Sequence, residues 1–178
     1  MILSAQSIRW RIKAAAMFAT AEAEAEPSLR RMLHIGPDGA LPLLDPFHER
    51  TNDNGMTFGL SAAGYDVRIR ETIEIRPGRF TLASTFERFA MPNDLVARVC
   101  DKSTWARRGI AVQNTVIEPG WCGYLTLEIT NHGREPIFIN NGSPIAQILF
   151  ELLDEPTCQP YAGKYQNQKA GPQPAILG

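Results

Sequence analysis

From Pro42 onward, proline, glycine and asparagine recur every several residues and cut the chain into short alternating runs: YDVRIR, IEIRPGRFTLAS, LVARVC, YLTLEIT, PIFI and IAQILFEL. Runs this short, bounded by turn formers and rich in β-branched and aromatic residues, fit strands of a sandwich or barrel rather than strands alternating with long helices. Asn140, Asn141 and Gly142 supply a turn between two of them. The run YLTLEIT alternates strictly, so Leu125, Leu127 and Ile129 share one face of a strand while Thr126, Glu128 and Thr130 share the other. Glutamate is depleted in strands and costly to desolvate. Glu128 therefore has three readings: a solvent-facing residue, half of an ion pair, or a general base in a pocket.

The other segments are simpler. Ser4 stands before a helix whose apolar positions Ile8 and Ile12 are four apart, continuing into an alanine-rich stretch. The following AEAEAE carries no apolar stripe and reads as a solvated extension that ends at Pro27, so residues 1–26 form a helix and its extension. After Pro156 the strand pattern stops. Residues 157–178 are a polar, turn-rich tail with two tyrosines and two lysines, which suits either a lid or a frayed terminus.

At 178 residues with 44% apolar side chains, the chain has material for one core and is short for two, so 1–178 is expected to be a single domain. A net charge of −1 offers no field for a nucleic acid polymer or an anionic membrane, and favours small phosphorylated ligands bound by local clusters. There is no apolar run of spanning length, and MILSAQSIRWRIK lacks the apolar stretch of a signal peptide; a soluble, cytoplasmic protein is expected. Cys100, Cys122 and Cys158 are odd in number and widely spaced, which suits reduced structural thiols.

Lys102, Ser103, Thr104 and Arg107 gather cationic and hydroxyl donors suited to phosphate oxygens, or simply a charged turn at a strand end. They are not a P-loop, because Val96 and Asp101 stand where its glycines belong. Glu118, with Pro119 and Gly120, fits a tight hairpin. His34, His48 and His132 are scattered and offer neither metal-ligand spacing nor an H-x-E with a later P-C-x-x-C, which excludes a zinc-dependent nucleobase deaminase. Ser-His-Asp and Cys-His catalysis find no supporting neighbourhood either.

In order along the chain, MILSAQSI, YDVRI, PGRFTLAS with MPNDLVARV, KSTWARRGI, IEPGWCGYLTLEITN, GSPIAQILF, PYAGKYQNQ and GPQP resemble the dCTP deaminase branch of the dUTPase-like superfamily. The resemblance covers nearly the whole chain apart from the alanine- and glutamate-rich insert and the stretch up to Leu41. It implies a mainly β fold, a distorted β-barrel with a short N-terminal helix and a flexible C-terminal tail. It also implies a homotrimer with sites at subunit interfaces, and Mg²⁺ bound through the triphosphate, with no zinc and no metal ligands from protein side chains. Carried over by motif, Lys102, Ser103, Thr104 and Arg107 would meet phosphate and the reacting centre, Trp105 and Ala106 would count among the nucleotide-binding residues, and Glu118 would sit beside the sugar. Thr126 and Glu128 would face the base, Leu127 between them would count among the nucleotide-binding residues, and Tyr161, Lys164 and Gln168 would belong to the closing tail. The catalytic set implied is Glu128, Ser103 and Arg107, and the reaction is deamination of dCTP to dUTP and ammonia. Two features depart from the family pattern T-A-x-x-I-D-P-G: the run from Thr115 to Gly120 is two residues shorter, and Glu118 replaces the aspartate. The alternatives are a dUTP pyrophosphatase, alone or joined to deamination, and a non-catalytic nucleotide-sensing trimer.

Overall fold

The computed structural model describes residues 1–20, 42–53 and 55–177; the AEAEAE extension and Pro27 lie outside them. Helix α1 spans Ala5–Thr20. Ile8 and Ile12 are buried at 0% and 6% exposure, as their spacing predicts. The Ser4 carbonyl accepts the Ile8 N–H, while its hydroxyl meets that of Ser7 at 3.3 Å. Arg9 pairs with Glu49 at 2.7 Å and Arg11 with Asp94 at 2.6 Å, tying the helix to two distant loops. No described helix is long and apolar enough to cross a membrane.

Among the described residues, three sheets form. The first runs in the order β1 (Leu44–Asp45), β6 (Phe80–Ala90), β10 (Cys122–Asn131), β8 (Ile110–Val112). The second runs β2 (Thr51–Asp53), β3 (Met56–Ser61), β4 (Gly64–Arg68), β12 (Pro144–Leu152), β7 (Leu95–Asp101), β9 (Val116–Ile117). A ribbon pairs β5 (Ile73–Ile75) with β11 (Ile137–Ile139). The mainly β fold matches the expectation, but no sheet closes on itself, so the distorted barrel is realised as open sheets around a shared core. That core is one cluster drawing Phe89, Leu127 and Ile129 from the first sheet and Val67, Val99 and Phe150 from the second. The Asn140–Gly142 turn is present: Ser143 donates to the Asn140 carbonyl, and Gly142 takes φ +80°, a conformation that a Cβ would strain.

The pairing of β6 with β10 carries a bulge that matters for the site. Tyr124 faces Arg88 and Thr126 faces Ser84, so Leu125 alone stands against Thr85, Phe86 and Glu87. The Leu125 N–H donates to the Thr85 hydroxyl at 3.0 Å, which satisfies an amide the ladder leaves unpaired. Glu87 turns into the core at 0% exposure, where it accepts from the backbone N–H and the Nε of Arg68 at 2.9 and 2.8 Å. Burial raises its pKa and Arg68 opposes the rise. Two extra residues preserve the period of two, so Thr126 and Glu128 still share a face with Ser84 and Leu82.

Candidate functional site

On that face lies a cavity of about 500 Å³. Its floor is Leu125, Thr126 and Glu128 of β10 with Phe80 and Leu82 of β6; the hairpin from Thr115 to Glu118 and Trp121 form one wall, and Tyr161, Tyr165, Gln168 and Gln173 of the tail form the other. The alternation read from YLTLEIT holds for Leu127 and Ile129, fully buried in the core on the opposite face, but not for Leu125, which at the bulge lines the cavity beside Thr126 and Glu128. Glu128 is the polar centre of the cavity. Its Oε2 is buried with no hydrogen-bond partner, and burial raises its pKa above the usual carboxylate value. A partly desolvated carboxylate with an unused acceptor oxygen, set in a largely apolar cavity, can accept a proton from a bound water and hand it on.

The tail is fastened across β10 by hydrogen bonds within the chain. Tyr124 donates its N–H to the Gln168 carbonyl at 3.0 Å, and the Trp121 indole donates to the Tyr165 carbonyl at 2.7 Å. The Gln168 side-chain amide donates to the Thr126 hydroxyl, which also accepts the Gln173 N–H at 3.0 Å. Gly123, at φ +147°, permits this crossing, because a Cβ there would lie 2.7 Å from the Gln168 nitrogen. The lid read from the sequence thus has protein partners of its own.

The expected site residues divide into two groups. Glu118, Thr126, Glu128, Tyr161 and Gln168 line the cavity. Lys102, Ser103, Thr104, Trp105, Ala106 and Arg107 do not. Lys102 and Ser103 instead line a separate depression of about 300 Å³ with Asp66, Asp101 and Gln147. There the Lys102 ammonium meets Asp66 at 2.7 Å, each side chain 9% exposed. The remaining four belong to helix α2 (Ser103–Ala106) and its end. Trp105 is buried and donates its indole N–H to the Pro144 carbonyl at 2.6 Å, with Arg108 stacked on its ring. Thr104, Ala106 and Arg107 are exposed, and the Arg107 side chain has no partner among the described residues. Lys164 is exposed too, its ammonium on the Ile176 carbonyl and over the Tyr165 ring. Leu127 sends its side chain to the core, which leaves only its backbone near the cavity.

The sequence reading missed Phe80, Leu82, Trp121, Tyr165 and Gln173 as cavity walls. All five lay inside motifs already singled out: Phe80 and Leu82 in PGRFTLAS, Trp121 in IEPGWCGYLTLEITN, Tyr165 in PYAGKYQNQ and Gln173 in GPQP. Among the described residues, no three His, Cys, Asp or Glu side chains gather as a metal site.

Comparison with known proteins follows the same lines. Residues 59–153 match the family model described as dCTP deaminase-like. The chain is 36% identical over 159 residues to a dCTP deaminase of Roseiflexus castenholzii, covering 71% of this chain and 86% of that one. It is 35% identical over 168 residues to a dCTP deaminase of Campylobacter fetus, covering 76% and 90%. It is also 37% identical over 139 residues to a dUMP-forming dCTP deaminase of Methanosphaera stadtmanae, covering 74% and 67%. Solved structures share the fold: native EIAV dUTPase at TM-score 0.50 and 21% identity, covering 66% of this chain and 91% of that one. The dUTPase of Staphylococcus aureus phage phi11, described with a structural Mg(II) ion, matches at TM-score 0.51 and 16% identity, covering 68% and 94%.

Proposed function

Because this chain belongs to the dCTP deaminase-like family, we propose that it hydrolyses dCTP to dUTP and ammonia, with Glu128 as the proton-transferring group. Glu128 takes a proton from a water held beside C4 of cytosine, and the hydroxide adds to C4. The carboxylic acid gives that proton to N3, and the carboxylate then takes the proton of the new C4 hydroxyl and passes it to the amine, which leaves as ammonia as C4=O forms, so one side chain serves as base and acid in turn. The observation that carries this reading is the buried, unpartnered Oε2 of Glu128 in the cavity. Burial raises its pKa above the usual carboxylate value, which favours its taking up the proton it must later return.

Ser103 and Arg107 enter from a neighbouring copy in a homotrimer, where they hold the water and steady the tetrahedral intermediate. Two features support that assembly. Both residues are exposed and lie off the cavity lined by their own chain's Glu128. Phe80 and Val116, at 58% and 51% exposure, line the cavity as apolar side chains that a second subunit would cover. Mg²⁺ is held by the triphosphate oxygens, and the reaction proceeds in the cytoplasm without zinc.

The M. stadtmanae relative, named as dUMP-forming, favours a second reading in which the dUTP is also cleaved. Purified protein with Mg²⁺, given dCTP and dUTP separately, decides between them. Ammonia without pyrophosphate supports the deaminase, and both products support the combined enzyme. Nucleotide binding with neither product identifies a sensing trimer.

A further inference from the structure

The tail is stitched to the body beside the cavity by several hydrogen bonds, and one side chain supplies two of them. The Gln166 amide donates through Nε2 to the carbonyls of Gly120 at 2.8 Å and Tyr161 at 3.2 Å. Its Oε1 accepts the N–H of Cys122 at 2.8 Å. Gly120 and Cys122 flank Trp121, whose indole N–H holds the Tyr165 carbonyl. A primary amide both donates and accepts at its tip, so it can bind a hairpin carbonyl and a nearby amide N–H together. Asn167 follows in the left-handed region at φ 59°, which asparagine tolerates, and the chain turns so that Gln168 meets Tyr124 and Thr126. Gln166 itself does not line the cavity.

We propose that Gln166 is a positioning residue, a latch that sets the tail in register on β10 and thereby fixes Gln168 and Gln173 opposite Glu128. It touches no substrate. Its effect runs through the tail wall, and the kinetic consequence rests on the deaminase reading given above.

The test uses the full-length protein with Gln166→Ala and Gln166→Glu. The Trp121 indole N–H and the Tyr124 amide report the latch directly by NMR and hydrogen exchange, with no need for activity. In Gln166→Ala, both should exchange at least about tenfold faster while the β12 amides keep wild-type protection. The KM for dCTP should rise and kcat should fall together, because a loosened wall leaves the water poorly placed. Gln166→Glu at neutral pH should behave likewise, since a carboxylate cannot donate to the Gly120 carbonyl. Protonating it on mild acidification restores a donor, so the Trp121 resonance should return toward its wild-type position while wild type shows no such recovery.

Unchanged exchange at Trp121 and Tyr124 in Gln166→Ala overturns the latch, as does a Gln166→Glu variant indistinguishable from wild type at neutral pH. Equal loss of protection in β12 also overturns it, by making Gln166 a general stability residue. If wild type releases no ammonia, the deaminase reading fails while the exchange data still decide the latch.

Discussion

The Nζ of Lys102 lies 2.7 Å from an Oδ of Asp66, and both side chains are 9% exposed. In the sequence, Lys102 heads a phosphate-like cluster. In the fold it neutralises a carboxylate that comes from β4, 36 residues earlier. Breaking such a pair leaves a buried charge, at a cost of roughly 3–5 kcal/mol, whereas replacing both partners by apolar groups is often close to neutral. Lys102→Met should therefore lower the urea midpoint sharply, and Asp66→Leu with Lys102→Met should recover most of the loss. A Lys102→Met protein with wild-type stability and a raised dCTP KM would instead return the lysine to the phosphate site.

Glu128→Gln should leave dCTP binding largely intact and lower ammonia release by at least about a hundredfold, because an amide cannot take the proton from water. Turnover within about tenfold of wild type would remove Glu128 from the proposed mechanism.

The same substitution should change stability in a pH-dependent way. Burial raises the folded pKa of Glu128 above its unfolded value. The folded state therefore holds the extra proton between the two values, and stability is lost as pH rises through that window. Glu128→Gln should flatten this slope and be the more stable form on its alkaline side. Denaturation midpoints of both proteins across weakly acidic to neutral pH would check the sign; a wild type that gains on the variant as pH rises would reverse it.

Removal of the chain after Cys158 deletes the partners of the Trp121 indole and the Cys122 N–H but few core side chains: Tyr161 is the tail residue packed against the core cluster. Folding should survive, with dCTP KM raised and kcat lowered together, because one wall of the cavity is gone. Unchanged kinetics in a folded truncation would reduce the tail to a docked terminus.

Activity should persist in a strong zinc chelator when Mg²⁺ is resupplied in excess, and triphosphate binding should weaken when Mg²⁺ is withdrawn. Elemental analysis showing stoichiometric zinc in active protein would contradict this.

Period-two alternation is a local property, so the sequence by itself determined that Thr126 and Glu128 share a face and that Leu127 and Ile129 enter the core. The i to i+4 spacing of Ile8 and Ile12 did the same for α1. Neither periodicity carries information about which distant segment lies over a face. That Thr126 sits under Gln168, that Asp66 claims Lys102, and that the bulge at Thr85 to Glu87 keeps Glu128 in register were decided only by tertiary structure. Each depends on polar groups brought together from 36 or more residues apart, as in the Leu125 N–H bond to Thr85 across 40 residues. Pairings at that range are selected by satisfying buried donors, acceptors and charges jointly, a condition that no short stretch of sequence expresses.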